Sequence, residues 1–149
     1  MEHIQPFVEN MRKMQFQMRR IIDFVSAKEA LTPPMIFLLF HLAHRGPLKV
    51  TDIADLFAIT SGAATGFSDK MEQLGLVQKT RSDEDRRVVC VTLTGKGEEK
   101  VRQMKERLLE MYGEVFREVE AEELNRMTQT LERISDLLEQ FMDHQERKR

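Results

Sequence analysis

Residues 59–97 read ITSGAATGFSDKMEQLGLVQKTRSDEDRRVVCVTLTGKG, and the fold turns on how this stretch is divided. Thr60 or Ser61 can cap a helix, because a hydroxyl oxygen accepts from a first-turn N–H that has no helical partner. That helix runs to Leu74, and Gly75 ends it as a residue free to take positive φ. The runs Val77–Arg81 and Arg87–Leu93 then flank the acidic turn SDEDR as two strands of a hairpin. Arg86 and Arg87 stand side by side at its tip. A solvated turn needs polar residues, but it does not need two adjacent guanidinium groups.

Just upstream, Ile53, Ala54 and Phe57 mark a short helix, and Ala58-Ile59-Thr60 is the turn that follows it. Two short helices joined by such a turn form a helix-turn-helix. With a hairpin directly behind, the unit is a winged helix and the hairpin is its wing. Farther out, Thr32 caps and Pro33 opens an apolar helix from Pro34 to about His44. Gly46-Pro47 ends it, and Arg45–Lys49 turns the chain. A long amphipathic helix spans His3 to Ser26, with Ile4, Phe7, Val8, Met11, Met14, Met18, Ile21, Ile22 and Val25 on one stripe. Pro6 is acceptable in its first turn. Thr94 caps another long helix to about Glu118. After a break near Glu120-Ala121, a last helix carries Leu124, Met127, Leu131, Ile134, Leu138 and Phe141. The expected architecture is mostly α with one β-hairpin wing. Residues 1–149 read as a single domain, with a winged helix-turn-helix lobe over 31–96 and helical regions at 3–30 and 97–146. The apolar stripes of the terminal helices suit a helical dimer interface, although packing within one subunit would also cover them.

The bulk properties narrow the class. The chain has 149 residues, 41% hydrophobic and 32% charged, which is a globular composition of ordinary domain size. Its one cysteine, Cys90, excludes an internal disulfide and a multi-cysteine metal site, and a reducing, cytoplasmic setting fits best. The N-terminal MEHIQPFVENMRKMQ mixes charges into its apolar residues, so it is neither a signal peptide nor a membrane span. Formal net charge is −2, an unpromising sum for a nucleic-acid binder. The distribution is more favourable. Val77–Lys96 holds Lys79, Arg81, Arg86, Arg87 and Lys96 against three acids, while the chain from Gly97 onward is acidic.

At these residues the chain resembles the multiple-antibiotic-resistance regulator (MarR) family. The similarity runs through LAHRGPLKVTDIADLF and the quoted stretch to the flanking long helices. Its most specific part is Asp85-Arg86-Arg87 followed by Leu93-Thr94-x-x-Gly97, which matches the family's wing pattern. The exit Leu74-Gly75-Leu76-Val77 matches as well. The resemblance implies that Arg87 enters the minor groove and that Asp85 orients the wing. It also implies a homodimer on a pseudo-palindromic double-stranded DNA operator, acting as a repressor released by a small aromatic effector, a metal or an oxidant. Winged-helix geometry independently sends the second short helix into the major groove. Arginine is favoured in narrow minor grooves, where the negative potential is strongest.

The second short helix departs from the family in its charge. If Ala64, Phe67, Met71 and Leu74 are its buried stripe, the opposite face holds Gly62, Thr65, Gly66, Asp69 and Gln73. That face has no cation, although family members often have one where Gly66 stands and another near Ser61. Thr65 can meet a thymine methyl, and Gly62 and Gly66 allow close backbone approach. Thr60, Ser61 and the N–H groups of the helix start would hold a phosphate. Asp69 would repel phosphate unless it accepts from a cytosine amino group or pairs with a wing arginine. Base readout should therefore be thin.

Other features read more plainly. Cys90 alternates within VVCV as a buried or half-buried thiol, and the first helix lacks the reactive cysteine of the family's peroxide sensors. His41 and His44 could face one metal, but no second pair supplies further donors. The ten methionines suit core packing, or an adaptable ligand cavity. No phosphate loop, nucleophile motif or His/carboxylate pairing points to an enzyme, so no catalytic residue, cofactor or resident metal is expected. The competing reading is a winged-helix protein–protein module that does not bind DNA, favoured by the acidic balance and the cation-free face.

Overall fold

The computed structural model describes residues 4–81 and 88–148. In chain order its elements are α1 (Ile4–Glu29), α2 (Pro33–Arg45), β1 (Leu48–Lys49), α3 (Val50–Phe57), α4 (Ser61–Gln73), β2 (Val77–Arg81), β3 (Val89–Leu93), α5 (Gly95–Val115) and α6 (Ala121–Glu146). The chain divides into two compact units, residues 1–106 and 107–149.

In the first unit the ends of the helices follow local chemistry. Ala30 takes a left-handed φ of 53° and stops α1, while the Leu31 N–H donates back to the Ser26 carbonyl at 3.2 Å. Thr32 occupies the N-cap position of α2, with Pro33 and Pro34 behind it, but its side chain makes no capping bond. Gly46, at φ 85°, closes α2 by donating its N–H to the Leu42 carbonyl at 3.0 Å.

The wing is more than a hairpin. Leu48 and Lys49, expected only to turn the chain, pair with Val91 and Cys90 as a short edge strand. The result is a three-stranded antiparallel sheet in the order β1-β3-β2. Two residues are too few to show a strand period, and β1 exists because β3 offers it a free edge.

The core lies where α2, α3, α4 and the sheet meet. Ile36, Leu38, Leu39, Ile53, Met71, Val77, Val91 and Met104 are fully buried. Each such side chain contributes roughly 1.5–3 kcal/mol by leaving water. The buried stripe of α4 differs from the expected one. It consists of Ala64, Ser68 and Met71, with Phe67 half-buried and Leu74 38% exposed. Ser68 is tolerated inside because its hydroxyl donates to the Ala64 carbonyl at 2.8 Å. Phe67 packs edge-on against Phe57 at 5.4 Å, and Phe57 packs against Phe37 at 5.8 Å, so an aromatic row links α2, α3 and α4. Leu76 fills the core position expected of Leu74.

The second unit comprises the end of α5 and all of α6. Tyr112 stacks on Phe116 at 6.3 Å, and α5 stops at Val115, before the expected Glu118. Glu120 takes the N-cap position of α6 without a side-chain cap bond, and Arg126 pairs with Glu122 at 3.0 Å. No residue of α6 is buried. Its apolar stripe stands open to solvent, with Leu131 51% and Phe141 60% exposed.

Candidate nucleic-acid interface

The turn between α3 and α4 is built by two residues. Ala58 takes φ 52° at the end of α3, where an L side chain is strained, and its N–H donates to the Asp55 carbonyl at 3.2 Å. Two residues later Thr60 is extended, and its Oγ1 accepts the Ala63 N–H at 3.2 Å. Thr60, not Ser61, is therefore the cap of α4. Its hydroxyl proton remains available to an acceptor, beside the exposed Ser61.

Gly62, Thr65 and Gly66 are all exposed on α4. Thr65 donates its hydroxyl to the Ser61 carbonyl at 2.9 Å, which leaves its methyl and its oxygen lone pairs for any partner. A Cβ added to Gly62 or Gly66 would meet nothing within 4 Å. Packing in the subunit therefore explains neither glycine, although each weakens an exposed helix by about 1 kcal/mol relative to alanine. The open surface at both positions leaves room for another backbone to approach closely.

Asp69 is held within the lobe. It pairs with Lys79 of β2, and Glu72 lies 3.4 Å from the same ammonium through Oε2. The Lys79 backbone N–H also donates to Glu72 Oε1 at 2.9 Å. The hydrogen bond to Asp69 is the main cause that keeps the Lys79 ammonium above the ordinary lysine range. Asp85, Arg86 and Arg87, the wing residues expected to orient and anchor it, lie outside the described residues.

A hollow of about 320 Å³ brings Ser61 and Thr65 together with Lys49, Thr51 and Lys79 at the base of the wing. From the sequence, Lys79 counted only toward the basic balance of the hairpin and Lys49 only as the end of a turn, so neither was expected beside Ser61 and Thr65.

The motif residues behind the wing have a structural task. Thr94 Oγ1 donates to the Gly75 carbonyl at 2.6 Å and accepts the Gly97 N–H at 3.1 Å. Lys96 Nζ donates to the Leu74 carbonyl at 2.8 Å. The end of α4, at Gly75 with φ 71°, is thereby tied to the start of α5.

Elsewhere in the first unit, a cavity of about 460 Å³ lies between α2, β3 and α5, lined by Leu42, Pro47, Thr92, Val101 and Arg102 among others. Thr92 Oγ1 is buried there without a hydrogen-bond partner. Cys90 is half-buried in β3, and His41 lies against Phe37 at 6.0 Å. Among the described residues no three His, Cys, Asp or Glu side chains gather as metal donors. No helix among them is long and apolar enough to cross a membrane.

Comparison with known proteins bears on this geometry. The family model described as MarR family matches residues 31–89. The HTH-type transcriptional repressor MdtR of Bacillus subtilis is 37% identical over 71 residues, covering 48% of this chain and 46% of MdtR. The HTH-type transcriptional regulator MgrA of Staphylococcus aureus is 32% identical over 74 residues, half of each chain. The chain thus spans about half the length of these curated relatives. Among solved structures, a MarR family protein from Bacillus stearothermophilus superposes with a TM-score of 0.82 at 20% identity, covering 92% of this chain and 96% of that one. A cysteine-to-serine mutant of MarR from E. coli, complexed with operator DNA, superposes with a TM-score of 0.65 at 17% identity, covering 89% and 95%. Residues 31–89 are thus similar to the MarR family, and the chain shares the fold of a MarR family protein.

Proposed function

We propose that this protein is a sequence-specific DNA-binding transcription regulator, a homodimeric repressor that a small-molecule effector releases. The observation that carries the reading is the exposed first half of α4. Gly62 and Gly66 have open space around them, and Ser61 and Thr65 share a hollow with Lys49 and Lys79. In a winged helix this end of the second short helix meets the major groove. Thr60 and Ser61 hold a phosphate, Thr65 meets a base edge, and Arg86 and Arg87 of the wing reach the backbone and the minor groove. MdtR, matched over 71 residues, is named a transcriptional repressor, which supports the same direction.

Two further observations support the finer parts. The apolar faces of α1 and α6 are exposed, with Phe7 at 42% and Leu138 at 52%, and a second copy would cover them. The α2–β3–α5 cavity, with its unpartnered Thr92 hydroxyl, is of a size that suits a small aromatic effector.

The test is a titration of labelled duplex at two salt concentrations. Contacts to several phosphates weaken steeply with salt. A winged helix that binds a protein partner, the reading favoured by the net charge of −2, would leave duplex unbound at both.

A further inference from the structure

We infer that Asp69 and Glu72 are positioning residues which, through Lys79, fix the direction of the wing relative to the helix that reads DNA; this rests on the DNA-binding reading above. The two acids stand one turn apart on α4, with 44% and 42% of their side chains exposed. Between them lies the Lys79 ammonium, whose side chain is only 23% exposed. The grip extends beyond a flexible side chain, because Glu72 also accepts the Lys79 backbone N–H at 2.9 Å. Strand β2 itself is therefore hydrogen-bonded to α4.

Along β2, Val77, Lys79 and Arg81 share one face of the strand. Val77 is buried at the lower end, and Lys79 is clamped two residues farther out. These two points set the line along which β2 leaves α4. They also set where Arg81 stands relative to Gly62, Thr65 and Gly66. A reader that contacts two grooves at once depends on that angle, since a misaligned wing loses its contacts while α4 keeps its own.

Charge makes the idea testable. Two carboxylates near a phosphate backbone lower affinity by repulsion, so their electrostatic and positioning effects have opposite signs. The probe is a fluorescent duplex that the full-length wild type has selected from a random-sequence pool, titrated by anisotropy over a range of salt. Asp69→Asn and Glu72→Gln should each weaken binding, and together by about tenfold, although each removes a negative charge. Lys79→Met should weaken it similarly without the fall of about one in salt slope that marks a lost phosphate contact. Lys79→Arg and Asp69→Glu should restore wild-type affinity. If Lys79→Met fails to fold, the two exposed acid variants carry the test. Equal or tighter binding by those acid variants overturns the inference, as does a drop of one in the Lys79→Met slope. A wild type that selects no duplex overturns the DNA-binding reading and this inference together; a wild type that binds alongside indifferent variants overturns the inference alone.

Discussion

A Cβ placed on Gly97 would stand 2.0 Å from the carbonyl oxygen of Leu76. That oxygen already accepts the Thr94 N–H at 3.1 Å, so it has no freedom to retreat. The first turn of α5 is therefore packed directly on the backbone that leaves α4, and only glycine fits between them.

Gly97→Ala should accordingly destabilise the protein by at least about 3 kcal/mol, as expected when a contact must displace backbone in a packed region. Thr94→Val keeps the shape but removes two hydrogen bonds, and should cost about 1–3 kcal/mol. Urea unfolding would measure both. A Gly97→Ala protein as stable as wild type would show that the junction can open without penalty.

The turn between α3 and α4 predicts two changes of opposite sign. Thr60→Ala removes the cap to Ala63 and should cost about 1 kcal/mol. Ala58→Gly relieves an alanine held at φ 52°. Relief of about 1–2 kcal/mol of left-handed strain outweighs glycine's larger entropy loss of about 0.5–1, so a small gain is expected. Thermal midpoints moving in the same direction for both variants would contradict this account of the turn.

The open faces of α1 and α6 predict a homodimer. Replacing Leu131 and Ile134 by Glu should give unfolded or aggregated protein, because an obligate dimer often has no stable monomer. Sedimentation of wild type as a well-folded monomer would end the proposal.

For the wing, Arg87→Ala should weaken specific DNA binding by roughly 1–3 kcal/mol and leave helicity and assembly unchanged. The loss should be larger at A·T-rich flanks, whose narrow grooves favour the guanidinium. Arg86→Ala should mainly lower the salt slope, by about one. Binding like wild type on every duplex would make both arginines ordinary turn residues.

Lys79 predicts an alkaline limit. Its folded value is raised above 10.5, chiefly by the bond to Asp69. A raised value means that its contribution is complete below 10.5 and fades as pH climbs through the higher folded value. The stability difference between wild type and Lys79→Met should thus be flat from neutral pH to that point and shrink above it. Parallel melting curves across pH check the sign, and a difference growing with alkalinity would reverse it.

Much of the fold could be read from the chain because it is set by neighbours in sequence. The Thr60 cap, the Gly75 exit, the break before α6 and the apolar stripes each act within a few residues, and they alone fix the order of two short helices and a wing. Gly62, Thr65 and Gly66 followed from helical periodicity in the same way. What only the tertiary structure decided depends on residues far apart in sequence. Strand β1 forms because β3 has a free edge. Ser68 rather than Leu74 is buried because of how α4 lies on the core, and a local carbonyl satisfies its hydroxyl. Asp69 finds Lys79, ten residues on, and Thr94 finds Gly75, nineteen back. No periodicity encodes such partners, since they meet only after the chain has packed.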